Sequence, residues 1–247
     1  MLRNIICLTF LLSLISAAPI GNYTGVDVSE TNGTDAKGSI LYIFRSQWKQ
    51  RDVDFEIRDH LVSTGYNVTF ADQTEDASIV DGHDLVVISA TIRSRDFVPG
   101  DYKDIEIPIF TWENDILDDL RFTGKCRDTN FGGLDAEHYV QLVNAPHPIS
   151  AGVESGVKAM FVSDQEVGFG QPGLGADIIG TVPGTPDQAL IFSYEEGATM
   201  DYDFIAPARR VFFGMGNAAF GNLTDAGLAI FDAAVEYAIG ITDKEGY

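Results

Sequence analysis

The chain has 247 residues, 45% of them hydrophobic and 21% charged, enough apolar content to bury one core. Acidic residues outnumber Lys and Arg by 37 to 16, a formal charge of −21. A field of that sign repels phosphate backbones and anionic lipid, which excludes nucleic acid and acidic membrane surfaces as partners.

In chain order, Met1-Leu-Arg-Asn carries one cation, Ile5 to Ile15 is an apolar run, and Ser16-Ala17-Ala18 supplies small residues. That order predicts a secretory signal peptide over residues 1–18 and a secreted, extracellular protein. The run falls short of the ~20 residues that span a bilayer, so no membrane anchor is expected. Residues 19–38 are polar with little apolar content and read as a flexible tail. Behind a signal peptide, the sequons at Asn22, Asn32, Asn67 and Asn222 become candidate N-glycosylation sites. Cys7 lies in the signal, so Cys126 is alone in the mature chain and no internal disulfide is expected. Lys125 and Arg127 flank that thiol and favour a thiolate; a quiet thiol, an intermolecular bridge and a nucleophile are all open readings.

The remainder, residues 39–247, reads as one α/β domain. Ile40-Leu-Tyr-Ile-Phe44 is a short apolar run suited to a buried parallel strand. Asp52 to Thr64 places Val53, Ile57 and Leu61 on one helical face, with Gly65 as the stop. Strands are predicted at Val68–Ala71, Leu85–Ser89 and Ile107–Thr111, and a short helix over Ile116–Phe122. This alternation indicates an open, mostly parallel sheet flanked by helices. Shorter strands follow at Tyr139–Val143, Ala159–Val162, Ile178–Val182, Ala189–Phe192 and Arg210–Phe213, separated by Gly- and Pro-rich turns. Thr224 caps a last helix whose Leu228, Phe231, Val235 and Ala238 share one face, ending at Gly240.

The runs Ile40-Leu-Tyr-Ile-Phe44, Gly65-Tyr-Asn-Val-Thr69, Asp84-Leu-Val-Val-Ile-Ser89, His147-Pro-Ile-Ser-Ala-Gly152 and Ala206-Pro-Ala-Arg-Arg-Val-Phe-Phe-Gly214 carry a resemblance. In that order they resemble glutamine-amidotransferase-like domains of the trehalose-utilisation type, over about residues 38–240. The resemblance implies a flavodoxin-like sheet, here with short extra strands in the second half. Enzymatic amidotransferase domains carry a Cys nucleophile on a strand-to-helix elbow, paired with His and Glu. The comparable stretch here, Ile109-Phe-Thr-Trp-Glu-Asn114, has no Cys. Trehalose-utilisation relatives often carry a His near this elbow and another after the last strand; this chain has Glu113 and Asn217 in those regions.

Ligands of open parallel sheets sit beyond the carboxyl ends of the strands. Those ends are followed here by Arg45-Ser46 with Trp48 and Arg51, by Arg93 and Arg95, and by Trp112-Glu113. The arginine forks suit a carboxylate, sulfate or phosphate, Ser46 adds a hydroxyl, and Trp48 or Trp112 offers a face to a sugar ring. The predicted ligand set is therefore Arg45, Ser46, Arg93, Arg95 and Trp112, for an anionic or sugar-like ligand. The competing reading pairs the arginines with Asp52, Asp96 and Glu113 at the surface. Glu113 and His147 are the acid/base candidates if the protein is an enzyme. The loops at these strand ends have no Gly-X-Gly-X-X-Gly or Walker pattern, and four scattered His with one mature Cys give no metal-ligand spacing, so no cofactor and no metal are expected. No Asp-X-Asp-X-Asp-Gly loop occurs either; Asp52/Asp54 and Asp201/Asp203 are its nearest echoes, and a calcium-rich matrix is compatible with the charge alone. The leading expectation is a secreted, acidic, non-enzymatic glycoprotein acting as an extracellular or matrix-associated binding module, with a secreted hydrolase of carbohydrate or amide substrates as the alternative.

Overall fold

The apolar runs of the first half become the buried centre of one mixed sheet, because a strand covered on both faces must be apolar on both. The computed structural model describes residues 27–29 and 36–241. The predicted signal segment, most of the tail, and the Asn22 and Asn32 sequons lie outside the described residues. Within them the strands are β1 (Asp27–Ser29), β2 (Gly38–Phe44), β3 (Tyr66–Asp72), β4 (Leu85–Ile88), β5 (Ile109–Thr111) and β6 (Phe131–Glu137). The second half contributes β7 (Tyr139–Leu142), β8 (Gly156–Ala159), β9 (Gln165–Gly170), β10 (Asp177–Val182), β11 (Thr185–Tyr194) and β12 (Arg210–Phe213). Three helices accompany them: α1 (Asp52–Ser63), the single turn α2 (Pro99–Tyr102) and α3 (Asp225–Ile239).

The parallel strands lie in the order β3-β2-β4-β5-β12. Numbered among themselves, that is the flavodoxin order 2-1-3-4-5, with its switch point between β2 and β4. The expected extra strands extend this half through β11, β10, β7 and β8, all antiparallel. The β6–β9 pair leaves the main path and touches it at Ala189↔Gly170. Asp27–Ser29, inside the stretch read as tail, adds an antiparallel edge strand to β3.

Alternation along the strands divides the core. Tyr42, Phe44, Phe110 and Trp112 face α1 and α3, where Phe231 and Val235 meet them. Leu41, Ile43, Val86, Ile88 and Ile109 point the other way, under Ile116, Leu117, Leu120 and Phe122. That second face is covered by loops and single turns rather than by a long helix. The helix expected over Ile116–Phe122 is instead a 3-10 turn at Asn114–Ile116. Arg121 takes a left-handed φ of 66°, which stops any helix there, while the three-residue spacing of Leu117 and Leu120 still turns both inward.

The last helix forms as its ends predict. Thr224 Oγ1 accepts from Gly227 N at 3.0 Å, and Gly240, at φ 82°, closes the carboxyl end. Arg210 fixes the other face. It is buried with no carboxylate partner among the described residues, and its guanidinium donates to the carbonyls of Ile105 at 2.7 Å, Ile107 at 3.0 Å and Lys103 at 3.3 Å. It thereby ties the segment before β5 to the start of β12. Arg210→Met strands those carbonyls and is expected to cost at least about 3 kcal/mol. Calorimetry should record this as a Tm loss of roughly 6–12 °C for a domain of this size.

Candidate functional site

The carboxyl ends of β2, β4, β5 and β12 open into a cleft of two joined lobes. The inner lobe, about 240 Å³, lies between Ala90, Glu113–Asp115, Glu166–Gly168 and Met215–Asn217. The outer lobe, about 410 Å³, is bounded by Trp48, Gln50, Val53, Gln165 and Ala218–Ala219, and the two share Glu166, Gly216 and Asn217. Two glycines make this shape. A Cβ on Gly214 would stand 2.2 Å from the Gly168 carbonyl oxygen, and one on Gly216 would stand 2.3 Å from that of Glu166. Only glycine lets the β9 backbone cross so close above the end of β12, and that crossing carries Glu166 into the cleft.

Glu113 follows β5 and caps the Asn114–Ile116 turn, its Oε1 accepting from Asp115 N at 2.8 Å. It is only 8% exposed. Burial pushes its carboxyl up to about 8, and the charges of Asp115 and Glu166 push the same way; the Asp115 N–H and Arg127 oppose them. Asp115 is held by Arg127 at 3.0 Å and by Asn114 Nδ2 at 3.0 Å. Asn217 Oδ1 is buried without a hydrogen-bond partner among the described residues. Below the switch point, Asp54 Oδ1 accepts from Ser89 Oγ at 2.6 Å and Tyr42 OH at 3.0 Å, while Oδ2 is unpartnered among the described residues. Burial raises Asp54 to about 6.

The residues expected to bind ligand divide. Trp112 is a correction: it is 1% exposed and packs edge-on against Tyr42, Phe110 and Phe231, so no sugar reaches it. Its phase is that of Phe110, two residues earlier on the same face. Trp48 is the tryptophan that lines the cleft. Arg45, Arg93 and Arg95 leave the same strand ends but line neither lobe. Arg93 turns to Asp96 at 3.1 Å, and Arg95 stands exposed, 3.9 Å from Asp96. Ser46 is buried, donating through N and Oγ to Asp72 Oδ2, and its carbonyl accepts from Arg51.

Glu113 and His147 are not a pair, which is the second correction. His147 stacks edge-on against Tyr237 at 4.7 Å and lies in the field of Glu195, Arg209 and Asp177; burial holds its imidazole below the usual range. Arg209 precedes β12, whose first residue pairs with the first of parallel β5, whereas Glu113 lies beyond the end of β5. The two side chains therefore sit at opposite edges of the sheet. Cys126 is exposed on a loop and lines neither lobe. Among the described sequons, Asn67 lies within β3 and Asn222 in the turn before α3, both partly exposed.

Sequence reasoning missed Glu166, which comes from a strand it did not predict. The available signal was Gly214-Met-Gly-Asn217: two glycines directly after a buried strand call for a close backbone crossing. Among the described residues no group of three or more His, Cys, Asp or Glu side chains is arranged to hold a metal ion, and no helix is long and apolar enough to cross a membrane.

Sheet order and cleft together define a flavodoxin-like α/β protein with an acidic cleft at the carboxyl ends of its parallel strands. Among solved structures, a ThuA-like protein from Bacteroides uniformis shares this fold at TM-score 0.54 and 9% identity, covering 84% of this chain and 94% of that one. A GMP-synthase-type protein from Thermoplasma acidophilum matches at TM-score 0.48 and 13% identity, over 86% of this chain and 100% of that one. At these identities the likeness shows the fold alone. No protein-family model and no curated protein matches the sequence.

The raised carboxyls fix a pH dependence. Because the folded-state value of Glu113 lies above its ordinary 4.5, the protonated acid favours the native state; that contribution is complete below about pH 4.5 and is lost as the pH rises through 8. Asp54 acts in the same sense between about 3.8 and 6. The Tm is expected to fall from about pH 5 to about pH 9, and Glu113→Gln should remove much of that slope, ending more stable than the parent at the alkaline end. Carboxyl NMR should find a Glu113 midpoint near 8; a midpoint near 4.5 contradicts the burial argument.

Proposed function

We propose that this chain is an exported acidic glycoprotein working as a non-enzymatic extracellular or matrix-associated binding module, which holds a small polar, sugar-like ligand in the cleft above its parallel sheet. The observation that carries the reading is the composition of that cleft. Trp48 offers an aromatic face in the outer lobe, Glu113, Glu166 and Asn217 offer polar groups in the inner lobe, and neither lobe is lined by a Cys, Ser or Thr nucleophile or by a His. The position after β5, where the resembling enzymes carry their Cys, holds Trp112 and Glu113 instead.

One observation favours a second reading. Glu113 is an acid kept protonated at neutral pH beside another carboxylate, Glu166, and such a pair can act on a glycosidic bond as general acid and base. Under this reading the protein is a secreted carbohydrate hydrolase without His147.

Two measurements test the proposal. The full chain expressed in a secreting eukaryotic host is expected in the medium, with a mass that falls on enzymatic N-deglycosylation; retention inside the cell with no mass change overturns the export reading. Titration with a panel of mono- and disaccharides should show saturable binding weakened about five- to tenfold by Trp48→Ala, in keeping with about 1 kcal/mol for a stacking face. Release of sugar from aryl glycosides, abolished by Glu113→Gln, would decide for the hydrolase.

A further inference from the structure

Resting on the export reading and carrying it to the cleft, we infer that Asn222 bears an N-linked glycan whose first sugars lie over Trp48, so that the chain's own carbohydrate narrows the outer lobe. Position carries the inference. The sequon Asn222-Leu-Thr224 follows β12 in the same loop that supplies Asn217, Ala218 and Ala219 to that lobe. The nitrogen that takes a glycan, Asn222 Nδ2, stands 3.5 Å from the Ala218 carbonyl oxygen and donates toward it. A sugar carbon bonded to Nδ2 adds one C–N length, so it lies within about 5 Å of that lining residue. Taken as a sphere, a lobe of about 410 Å³ is only about 9 Å across, and Trp48 lines it too. Trp48 is partly exposed, which leaves ring surface for a pyranose to cover. Asn67 is placed differently. It is the second residue of β3 and pairs with Ser39 near the start of β2, at the amino end of the parallel strands and away from the cleft.

The turn that holds Asn222 is anchored on both sides. Its carbonyl accepts from Val162 N at 2.8 Å, and Phe220 is buried edge-on against His60 and Phe231. A glycosylated amide keeps one N–H, so the contact toward Ala218 survives the modification. The sequon threonine is engaged once α3 forms: its hydroxyl donates to Ala159 O at 2.8 Å and accepts from Gly227 N at 3.0 Å. Transfer therefore precedes folding of this segment. In that step Nδ2 bonds the anomeric carbon of a lipid-linked oligosaccharyl diphosphate. The bond from that carbon to the diphosphate oxygen breaks, its electron pair leaves with the diphosphate, and Nδ2 gives up one proton to solvent. The chain then folds with the glycan rooted at the rim of the outer lobe, and the inner lobe is left to a small ligand.

The full chain, expressed in a secreting eukaryotic host, is first mapped by peptide mass spectrometry, where a hexosamine-bearing peptide containing Asn222 is expected. Acrylamide quenching of tryptophan fluorescence then reads the cover. The chain has two tryptophans, and Trp112 is 1% exposed, so Trp48 is the one a quencher reaches. The quenching constant of the glycosylated parent should lie about twofold below that of Asn222→Gln, as expected when one side of a diffusive target is closed. Amidase removal of the glycan from the folded parent should raise the constant equally, which keeps the test intact if Asn222→Gln does not fold. Asn67→Gln should leave the constant where it is. Glycan on other sequons with Asn222 bare overturns the inference and leaves export standing. Occupied Asn222 with the same quenching before and after removal overturns the cover over Trp48. A chain retained in the cell without any glycan overturns export, and the inference with it.

Discussion

The cleft depends on one close approach, the β9 backbone crossing the end of β12 with carbonyl oxygens directly over Gly214 and Gly216. A side chain at either glycine would force the two layers apart by about 1 Å. Because nothing does, β9 closes over the carboxyl edge of the parallel half, and a groove that flavodoxin-like sheets leave open acquires a second wall. Gly168 belongs to the same contact: a Cβ there would stand 3.0 Å from the Asn114 Cβ and 3.2 Å from the Phe212 ring. Gly168 on β9 and the two glycines just past β12 thus set the height of the site.

The electrostatics follow from that geometry. Glu113 would be an ordinary carboxylate if the end of β5 faced water. Under β9 it loses solvent and gains Glu166 as a neighbour, so its acid form becomes the stable one at neutral pH. Asp54 obeys the same logic one layer deeper, where its two hydrogen bonds do not offset burial. A chain with 37 acidic residues has many carboxylates in water, and their number says little. The informative ones are the two withdrawn from it, Glu113 and Asp54.

The arginines show why surface patterns read from sequence are hard to convert into a site. Arg45, Arg93 and Arg95 do leave the carboxyl ends of β2 and β4, as the spacing indicates. A loop residue, however, has no fixed direction until its neighbours are known, and Asp96 takes the heads of Arg93 and Arg95. Trp112 failed for the opposite reason. Its direction was determined by the pleat, since it continues the face of Phe110, and that face is the core. His147 failed on topology: a residue on the linker between antiparallel strands can emerge at either edge of the sheet, and it emerges opposite Glu113.

The sequence by itself determined what local physics determines. Apolar runs of strand length became the parallel strands in order, the i, i+4 stripe of Ile57 and Leu61 became the buried face of α1, and Thr224 and Gly240 bounded α3. It also singled out Glu113, because the residue leaving a central strand end stands at the ligand edge of any such sheet. Only the tertiary structure decided what Glu113 meets. The β6–β9 pair carries Gly133, Gly168 and Gly170 in place of an apolar run, so no periodicity announces it, and its partners lie far along the chain. Burial of a carboxyl, its protonation and the orphaned Asn217 oxygen are properties of the contact between distant segments, and no window of sequence contains that contact.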